Sequence, residues 1–290
     1  MPASAADAPC PEQAFNATAL KWHTCAWLLL PVLIFLAGWM HWYAALPLML
    51  LTAAGLAPRK CKEPQTRDSL PAFPLFTRSS FLALAAFAAL MTLSGWGEWV
   101  NQHPDHIVRN ACLRELVASP WPVIFPDGNM LVYNTGFWLV PALAGKLAGL
   151  DAARVLVVLW GTWGLFLAWL WLCVFSGRRS LLLALLMAAF GSLLNFQCWL
   201  GLDLFRLHYF GTAEQIMCSA NASIPVLLFF IFLASGRMPL PWIPLLFAAT
   251  AFYSPLAALG GLPLAACQWY RQWRGVPPLR DVLLHPSFSA

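Results

Sequence analysis

The amino-acid sequence predicts an all-α, polytopic integral membrane protein. Hydrophobic residues make up 60% of the 290-residue chain and charged residues only 10%, whereas soluble proteins carry roughly a quarter charged residues. Apolar runs near the length of a membrane span recur along the chain, and basic residues collect in the short segments between them. No glycine-rich phosphate loop or zinc-type Cys/His spacing occurs in the sequence. The net charge of +5 comes from these basic loops and does not indicate a nucleic-acid-binding face.

The N-terminal third predicts a tail, a helical hairpin and a basic connector. Residues 1–21 are polar, rich in Ala and Pro, and lack the basic start of a cleaved signal peptide, so we expect a flexible cytoplasmic tail. The apolar stretches 25–39 and 42–57 have only two residues between them, which predicts a tight hairpin of two spans. The connector 58–79 is rich in Lys and Arg and is therefore predicted to be cytoplasmic.

A long outer loop, 96–152, is predicted after the next span. Its segment from Asp105 onward has the pattern of an amphipathic helix on the membrane surface, with Val108, Cys112 and Leu116 as its apolar row. The later apolar stretch 133–150 is short and interrupted by Pro141 and Lys146. It therefore predicts an interfacial or re-entrant helix on the outer side and not a full span.

The C-terminal half predicts further spans around a second outer loop. Residues 201–223 are assigned to that loop, and the Arg-containing turns that flank its spans are assigned to the cytoplasm. The segment 239–275 contains two apolar runs hinged at Ser254, which predicts a short, broken hairpin. The transmembrane domain then covers residues 22–275 with about eight spans, and residues 276–290 are expected to form a cytoplasmic tail that a longer protein could continue.

Two acidic residues in the first outer loop are candidate functional groups. Glu98 lies between Trp96 and Trp99 at the membrane boundary, where a carboxylate needs a partner, a function or contact with water. Asp105 stands at the start of the surface helix, an N-cap position where its carboxylate could satisfy backbone N–H groups. The sequence is compatible with a catalytic or a structural role for each acid.

Basic and imidazole groups accompany these acids. Arg109 and His106 lie in the first outer loop, and Arg206 and His208 lie in the second. An acid beside a base at an interface suits transfer chemistry, because the carboxylate accepts a hydroxyl proton while Arg or His holds a phosphate. Plain solvated loops would have the same composition. The sequence shows no set of metal ligands, and a divalent metal is left open as a cofactor.

The order of these features resembles the GT-C superfamily of membrane glycosyltransferases, which includes protein O-mannosyltransferases and lipid A aminoarabinose transferases. The nearer resemblance, over about residues 80–265, is to uncharacterised bacterial multispanning members of this type. The matching positions are Gly95, Gly97, Gln102, Asp105, Arg109, Asn110, Leu113, Leu116, Trp121, Pro122, Tyr133, Gly136, Pro141, Ala142, Gly145 and Lys146, followed by the broken span Tyr253 to Gly260. The paired acids common in the superfamily are absent here.

The resemblance implies a GT-C-like helical bundle and a catalytic base in the first outer loop. Carried over by position, Asp105 is the first candidate for this base and Glu98 the second. The implied donor is a polyprenyl-phosphate sugar, and the acceptor is a hydroxyl of a glycan, lipid or protein. The expected substrate-binding residues are Arg109, Asn110, His106, Lys146, Arg206 and His208.

The sequence therefore favours a glycosyltransferase that acts on the outer face of a bacterial inner membrane, with the N-terminus in the cytoplasm. A non-catalytic transporter, flippase or assembly subunit for lipid-linked glycans on the same scaffold is the alternative. No acid–base relay of the kind used in coupled transport is visible within the spans, which favours the enzyme.

Overall fold

The computed structural model describes residues 17–57, 77–190 and 211–276, and this part of the chain is all-helical. An isolated bridge between Ile124 and Met130 is the one β-type pairing within these residues. The helices of the described part are α1 Ala17–Trp39, α2 Trp42–Leu56, α3 Arg78–Leu93, α4 His106–Ala118, α5 Gly136–Ala148, α6 Leu150–Ser176, α7 Leu181–Ala189, α8 Thr212–Ala234, α9 Trp242–Tyr253 and α10 Pro255–Trp273.

Three helices in the described residues are long and apolar enough to cross a membrane. They are Thr18–Trp39 within α1, Leu150–Ser176 and Thr212–Ala234. The apolar helices α2, α3, α5 and α9 are shorter than 18 residues. Because a straight span needs about 20 residues, the predicted total of about eight crossings stays a prediction. Helix α1 begins at Ala17, inside the segment expected to be a flexible tail.

Helix α6 lies at the centre of the bundle and packs against α3, α5 and α8. Two glycines on α6 allow close approach: a Cβ on Gly161 would lie 2.2 Å from Met91, and one on Gly164 would lie 2.7 Å from Trp27. Small residues at helix contacts are the usual way in which apolar helices approach closely. The Trp27 indole donates to the Trp160 carbonyl at 3.0 Å and stacks on Tyr253, so α1, α6 and α9 meet in one aromatic core.

The acidic residues of the described part lie at one end of the bundle, where Arg109, Arg114, Lys146 and Arg154 accompany them, and the other end is basic. Arg179 beside α6 contacts Ser80 at the start of α3, and Gln272 of α10 contacts Met238 beyond α8. The basic residues of this end are Lys21, Arg78, Arg178, Arg179, Arg237, Arg271 and Arg274. The described acidic residues all lie in segments at the other end, namely Glu98, Asp105, Glu115, Asp127, Asp151 and Glu214. The candidate site is therefore at the end opposite to the basic one.

Several predicted elements are present in the structure. Helices α1 and α2 pack together and are separated by Met40 and His41, and α9 and α10 are separated at Ser254, whose backbone leaves the helical region. Helix α5 occupies the middle of the predicted re-entrant stretch and buries Phe137 and Trp138. The location of α5 relative to a membrane remains a prediction.

Two segments add detail to the sequence prediction. Helix α8 begins at Thr212, inside the stretch 201–223 predicted as the second outer loop, and the Glu214 carboxylate accepts a hydrogen bond from the Gly211 N–H at 3.0 Å and caps the helix. The end of this loop relative to a membrane stays a prediction. Of the predicted apolar row of α4, Cys112 and Leu116 are buried and Val108 is 58% exposed, and His106 and Arg109 are buried on the same face. The buried face of α4 is therefore mixed, because α8 supplies polar partners for His106 and Arg109.

Candidate active site

The loop 94–105 between α3 and α4 holds an unusual backbone conformation. Gly95 and Gly97 both have φ of +92°, and Glu98 has φ of +65°, a region that residues other than glycine seldom adopt. The Gln102 amide donates to the Gly95 carbonyl at 2.6 Å, and the Asn110 amide donates to the Gln102 side-chain oxygen at 2.7 Å. Asn110 therefore fixes the shape of this loop from α4, and substrate binding by Asn110 stays a prediction.

The loop and α4 are attached to α8 just before a break in that helix. Ser219 has φ −151° and ψ 42°, which interrupts α8 between Thr212 and Ala234. The Trp96 indole donates to the Ile216 carbonyl at 2.8 Å, and His106 Nε2 donates to the Met217 carbonyl at 2.9 Å. Side chains that bond to helix carbonyls are a common cause of kinks. These two contacts therefore define one wall of the candidate site.

His106 is a buried, neutral residue of this wall. The His106 ring has no exposed surface and lies edge-on to Trp96, with the ring centroids 4.8 Å apart. Burial lowers the His106 pKa, and nearby Arg109 lowers it further, against the opposing effect of the Met217 carbonyl. Since a carbonyl only accepts, Nε2 carries the proton and Nδ1 does not. Buried Nδ1 has no hydrogen-bond partner among the described residues.

Arg109 is a buried residue of the site whose guanidinium has hydrogen-bond donors without partners among the described residues. Its side chain is only 9% exposed, and one terminal nitrogen contacts the Ser219 hydroxyl at 3.3 Å. The same nitrogen lies 3.7 Å from Asp105 Oδ2. The other two guanidinium nitrogens, Nε and Nη1, are buried and have no protein partner in the described part of the chain. Buried charged donors are normally paired, so this guanidinium is suited to hold an anion.

Asp105 does not cap α4. Its backbone is helical, with φ −59° and ψ −22°, and its side chain accepts no bond from the first turn. The carbonyls of His103 and Pro104 instead accept the first N–H groups, those of His106 and Ile107. The Asp105 side chain is 51% exposed and lies 3.6 Å from His103 Nδ1. The carboxylate is therefore open to solvent beside the buried Arg109 guanidinium.

Glu98 has a different environment. Its Oε2 accepts from Arg114 at 2.5 Å and from Arg154 at 2.6 Å, and Arg154 also binds Asp151 at 2.8 Å. The Glu98 side chain is 13% exposed, and its Oε1 is buried without a hydrogen-bond partner among the described residues. The structure gives Glu98 and Asp105 separate partners. Glu98 thus joins the loop to α4 and α6, and a catalytic role for Glu98 stays a prediction.

Lys146 has contacts that explain it structurally. Its Nζ donates to the Ser119 carbonyl at 2.5 Å and the Val117 carbonyl at 3.4 Å, and it lies 5.0 Å above the Trp121 ring. A cation at the C-terminal carbonyls of a helix stabilises that end. Lys146 therefore attaches α5 to the end of α4, and its predicted part in substrate binding is untested.

The second group of predicted binding residues, Arg206 and His208, lies outside the described residues. Cys218, on α8, was not predicted from the sequence as part of the site. Its sulfur lies within 4.8 Å of ligand atoms on His103 and Asp105, so these three residues are also candidate metal ligands. The sequence does not indicate that Cys218 lies beside His103 and Asp105, because this contact depends on how α8 packs against α4.

Comparison of the chain with protein-family models, with curated proteins and with solved structures gives no match.

Proposed function

We propose that this chain is a membrane glycosyltransferase that moves a sugar from a polyprenyl-phosphate donor to an acceptor hydroxyl. The observation that carries the proposal is the pairing of a half-exposed carboxylate, Asp105, with a buried guanidinium, Arg109, at 3.7 Å. The carboxylate can accept a proton, and two nitrogens of the guanidinium, which no described residue binds, can bind a phosphate. These are the two groups that such a transfer needs.

The proposed reaction uses each group once. The acceptor oxygen forms a bond to the anomeric carbon as the bond from that carbon to the donor phosphate oxygen breaks. The acceptor proton passes to Asp105, and the electron pair leaves with the polyprenyl phosphate. Arg109, with the Ser219 hydroxyl beside it at 3.3 Å, would stabilise the charge on the departing phosphate.

The neutral state of His106 suits this arrangement. The donor phosphate is anionic, and the buried His106 ring holds its Nε2 proton against the Met217 carbonyl. The unprotonated Nδ1 is buried, so the ring holds α4 against α8 through its Nε2 bond and does not open to solvent. His106 would then support the wall beside Asp105 while Asp105 takes the proton, and direct substrate binding by His106 stays a prediction.

The segregation of charge supports a position in a bacterial inner membrane with the N-terminus in the cytoplasm. Arg78, Arg178 and Arg237 lie at the basic end of the bundle, where the described residues include no acid. The positive-inside rule places that end in the cytoplasm. Asp105 and Arg109 would then face outward, where lipid-linked sugars presented at the outer leaflet can reach them.

The test is the substitution Asp105→Asn in the full-length protein. Membranes that contain the variant are assayed for sugar transfer from a panel of labelled polyprenyl-phosphate sugars to endogenous acceptors. Removal of a general base should lower the rate by about 10²–10⁴-fold. The matched control is Asp127→Asn, because Asp127 is in an exposed turn and bonds only its neighbour Asn129 among the described residues.

Normal transfer by Asp105→Asn would remove Asp105 from the mechanism. An equal loss in Asp127→Asn would show that the assay reports general damage to the outer loop. Substitution Arg109→Lys should weaken donor binding while Arg114→Lys does not, since the Arg114 guanidinium contacts Glu98 and is half-exposed. Equal effects of the two Lys variants would contradict the role of Arg109.

A non-catalytic role in moving lipid-linked glycans is a second candidate, and the break in α8 favours it. Helices that are interrupted inside a bundle often form binding sites in transporters. Asn221, two residues after the break at Ser219, has a buried side-chain oxygen without a partner among the described residues. In that case proteoliposomes would show lipid-glycan movement that Asp105→Asn leaves intact, with no transfer of sugar.

A further inference from the structure

The surface beside Arg109 contains three side chains of the kinds that bind transition metals. His103 and Asp105 belong to the turn that precedes α4, and Cys218 belongs to α8, directly before its break. Their ligand atoms all lie within 4.8 Å of one another. A nitrogen, a carboxylate oxygen and a sulfur are the donor types that zinc accepts.

The arrangement of the two loop residues favours coordination. His103 Nδ1 accepts a long hydrogen bond of 3.4 Å from the Asp105 backbone N–H and lies 3.6 Å from Asp105 Oδ2. In that tautomer Nδ1 has one lone pair, and a bound metal would replace this long hydrogen bond as its partner. Donors bound to one tetrahedral zinc ion are about 3.3–3.6 Å apart, as follows from zinc–ligand bonds of about 2.0–2.3 Å. The nitrogen and the oxygen are already near that separation.

The third ligand needs a small movement. The Cys218 sulfur lies within 4.8 Å of the His103 and Asp105 ligand atoms. It must come about 1 Å closer to them to reach the separation of donors on one zinc ion. His103 and Asp105 are 41% and 51% exposed, so their side chains have room to rotate. The backbone of Cys218 is fixed by its neighbours, since Met217 binds His106 and Ser219 binds Arg109.

The charges of the site are compatible with a divalent ion. The two negative charges of the Asp105 carboxylate and a Cys218 thiolate would balance the two positive charges of the ion. With the Arg109 guanidinium included, the net charge of the site would be +1. Both the His103 and the Arg109 contacts of Asp105 use Oδ2, which leaves Oδ1 to accept a proton. Three protein ligands would also leave one coordination position open, as in catalytic zinc sites.

We propose that His103, Asp105 and Cys218 form a binding site for a borderline divalent transition metal of the zinc class. The site lies next to the Arg109 guanidinium, so the ion and the guanidinium would together attract a phosphate group. The metal site stands on its own ligand geometry and does not require that the protein transfers sugar.

The test uses Co²⁺ as a spectroscopic substitute for Zn²⁺. Full-length protein without a histidine tag is purified in detergent, stripped with a chelator and titrated with CoCl₂. Coordination by the Cys218 thiolate should produce a sulfur-to-cobalt charge-transfer band in the near ultraviolet. The substitution Cys218→Ser should abolish the band, and Zn²⁺ should displace Co²⁺ from the wild-type protein.

The matched control is Cys267→Ser, because Cys267 is an exposed free thiol on α10. Its substitution should leave the band unchanged. His103→Ala should retain the helical circular dichroism of the wild type and weaken Co²⁺ binding at least about tenfold, the lower limit seen for residues that only support a ligand. Retention of the band in Cys218→Ser, its absence in the wild type, or undiminished affinity in His103→Ala would overturn the proposal. Sugar transfer without a thiolate band would reject the metal site alone.

Discussion

Replacement of Arg109 by Met should leave the thermal stability of the protein unchanged or raise it, while it removes phosphate binding. Only 9% of the Arg109 side chain is exposed. Burial of an ion costs several kcal/mol even after relaxation. Against this cost the described structure gives one hydrogen bond to Ser219 and an ion pair at 3.7 Å with a half-exposed carboxylate. An ion pair with an exposed partner contributes about 0–1 kcal/mol.

Replacement of Arg154 by Met should instead lower the thermal stability of the protein. Arg154 donates to Glu98 at 2.6 Å and to Asp151 at 2.8 Å, so Met at this position removes two good charge-assisted bonds. Arg114 still pairs with the 13%-exposed Glu98. We therefore expect a loss of about 1–3 kcal/mol, less than for a buried charge left entirely alone. Arg109→Met should instead fall between no change and a gain of about 4 kcal/mol.

Thermal unfolding of the purified proteins in one detergent measures both effects. A change of 1 kcal/mol shifts the melting temperature of a chain of this size by about 2 °C, so the two variants should differ by several degrees. A long-chain polyprenyl phosphate at 100 times its dissociation constant should add about 2.7 kcal/mol of stability to the wild type. The Arg109→Met protein should gain none of it.

Two results would refute this reasoning. A melting temperature that falls as far in Arg109→Met as in Arg154→Met would mean that the Arg109 guanidinium is already well paired in the folded protein. Equal stabilisation of the wild type and Arg109→Met by polyprenyl phosphate would mean that the lipid phosphate binds elsewhere.

Two further predictions concern the packing around the site. Burial lowers the pKa of His106, so the unfolded state binds a proton at a higher pH than the folded state does. The contribution of His106 to stability is therefore complete above a pH of about 6.5 and is lost as the pH falls towards the lower folded pKa. The melting temperature of His106→Gln should lack this part of the pH dependence. Gly145→Ala places a Cβ 2.5 Å from Val117 and should cost about 1–3 kcal/mol. Gly260→Ala meets no described atom within 4 Å apart from its own helix backbone and chain neighbours, so it should gain up to about 1 kcal/mol in the same melting assay. A pH profile that survives His106→Gln, or a stable Gly145→Ala protein, would contradict the packing described here.

The helices were largely predictable because hydrophobic runs and chain-breaking residues are local signals. The hinge at Ser254 precedes Pro255, and the residue before a proline is disfavoured in a helix. Gly149, with φ of +90°, separates α5 from α6 within one continuous apolar stretch. In both cases the residue that causes the boundary is visible in the sequence.

The interior face of α4 was predictable only in part. The apolar row includes Cys112 and Leu116, which are buried, but it gives no sign that His106 and Arg109 are buried on the same face. Burial of these polar residues depends on the Met217 carbonyl and the Ser219 hydroxyl, which become available where α8 is interrupted. No periodicity in α4 itself contains that information, because the partners are about 110 residues away.

The contrast between the two acids of the first loop is the strongest reason to place the chemistry at Asp105. A general base must be reached by the substrate and must have a lone pair that can take a proton. Glu98 commits one oxygen to Arg114 and Arg154 and buries the other. Among the described residues Asp105 makes neither a cap nor a short ion pair, yet it lies beside the buried Arg109 guanidinium, two nitrogens of which have no described partner. Asp105, which has fewer and longer contacts than Glu98 among the described residues, is therefore the acid better able to accept a proton from a substrate.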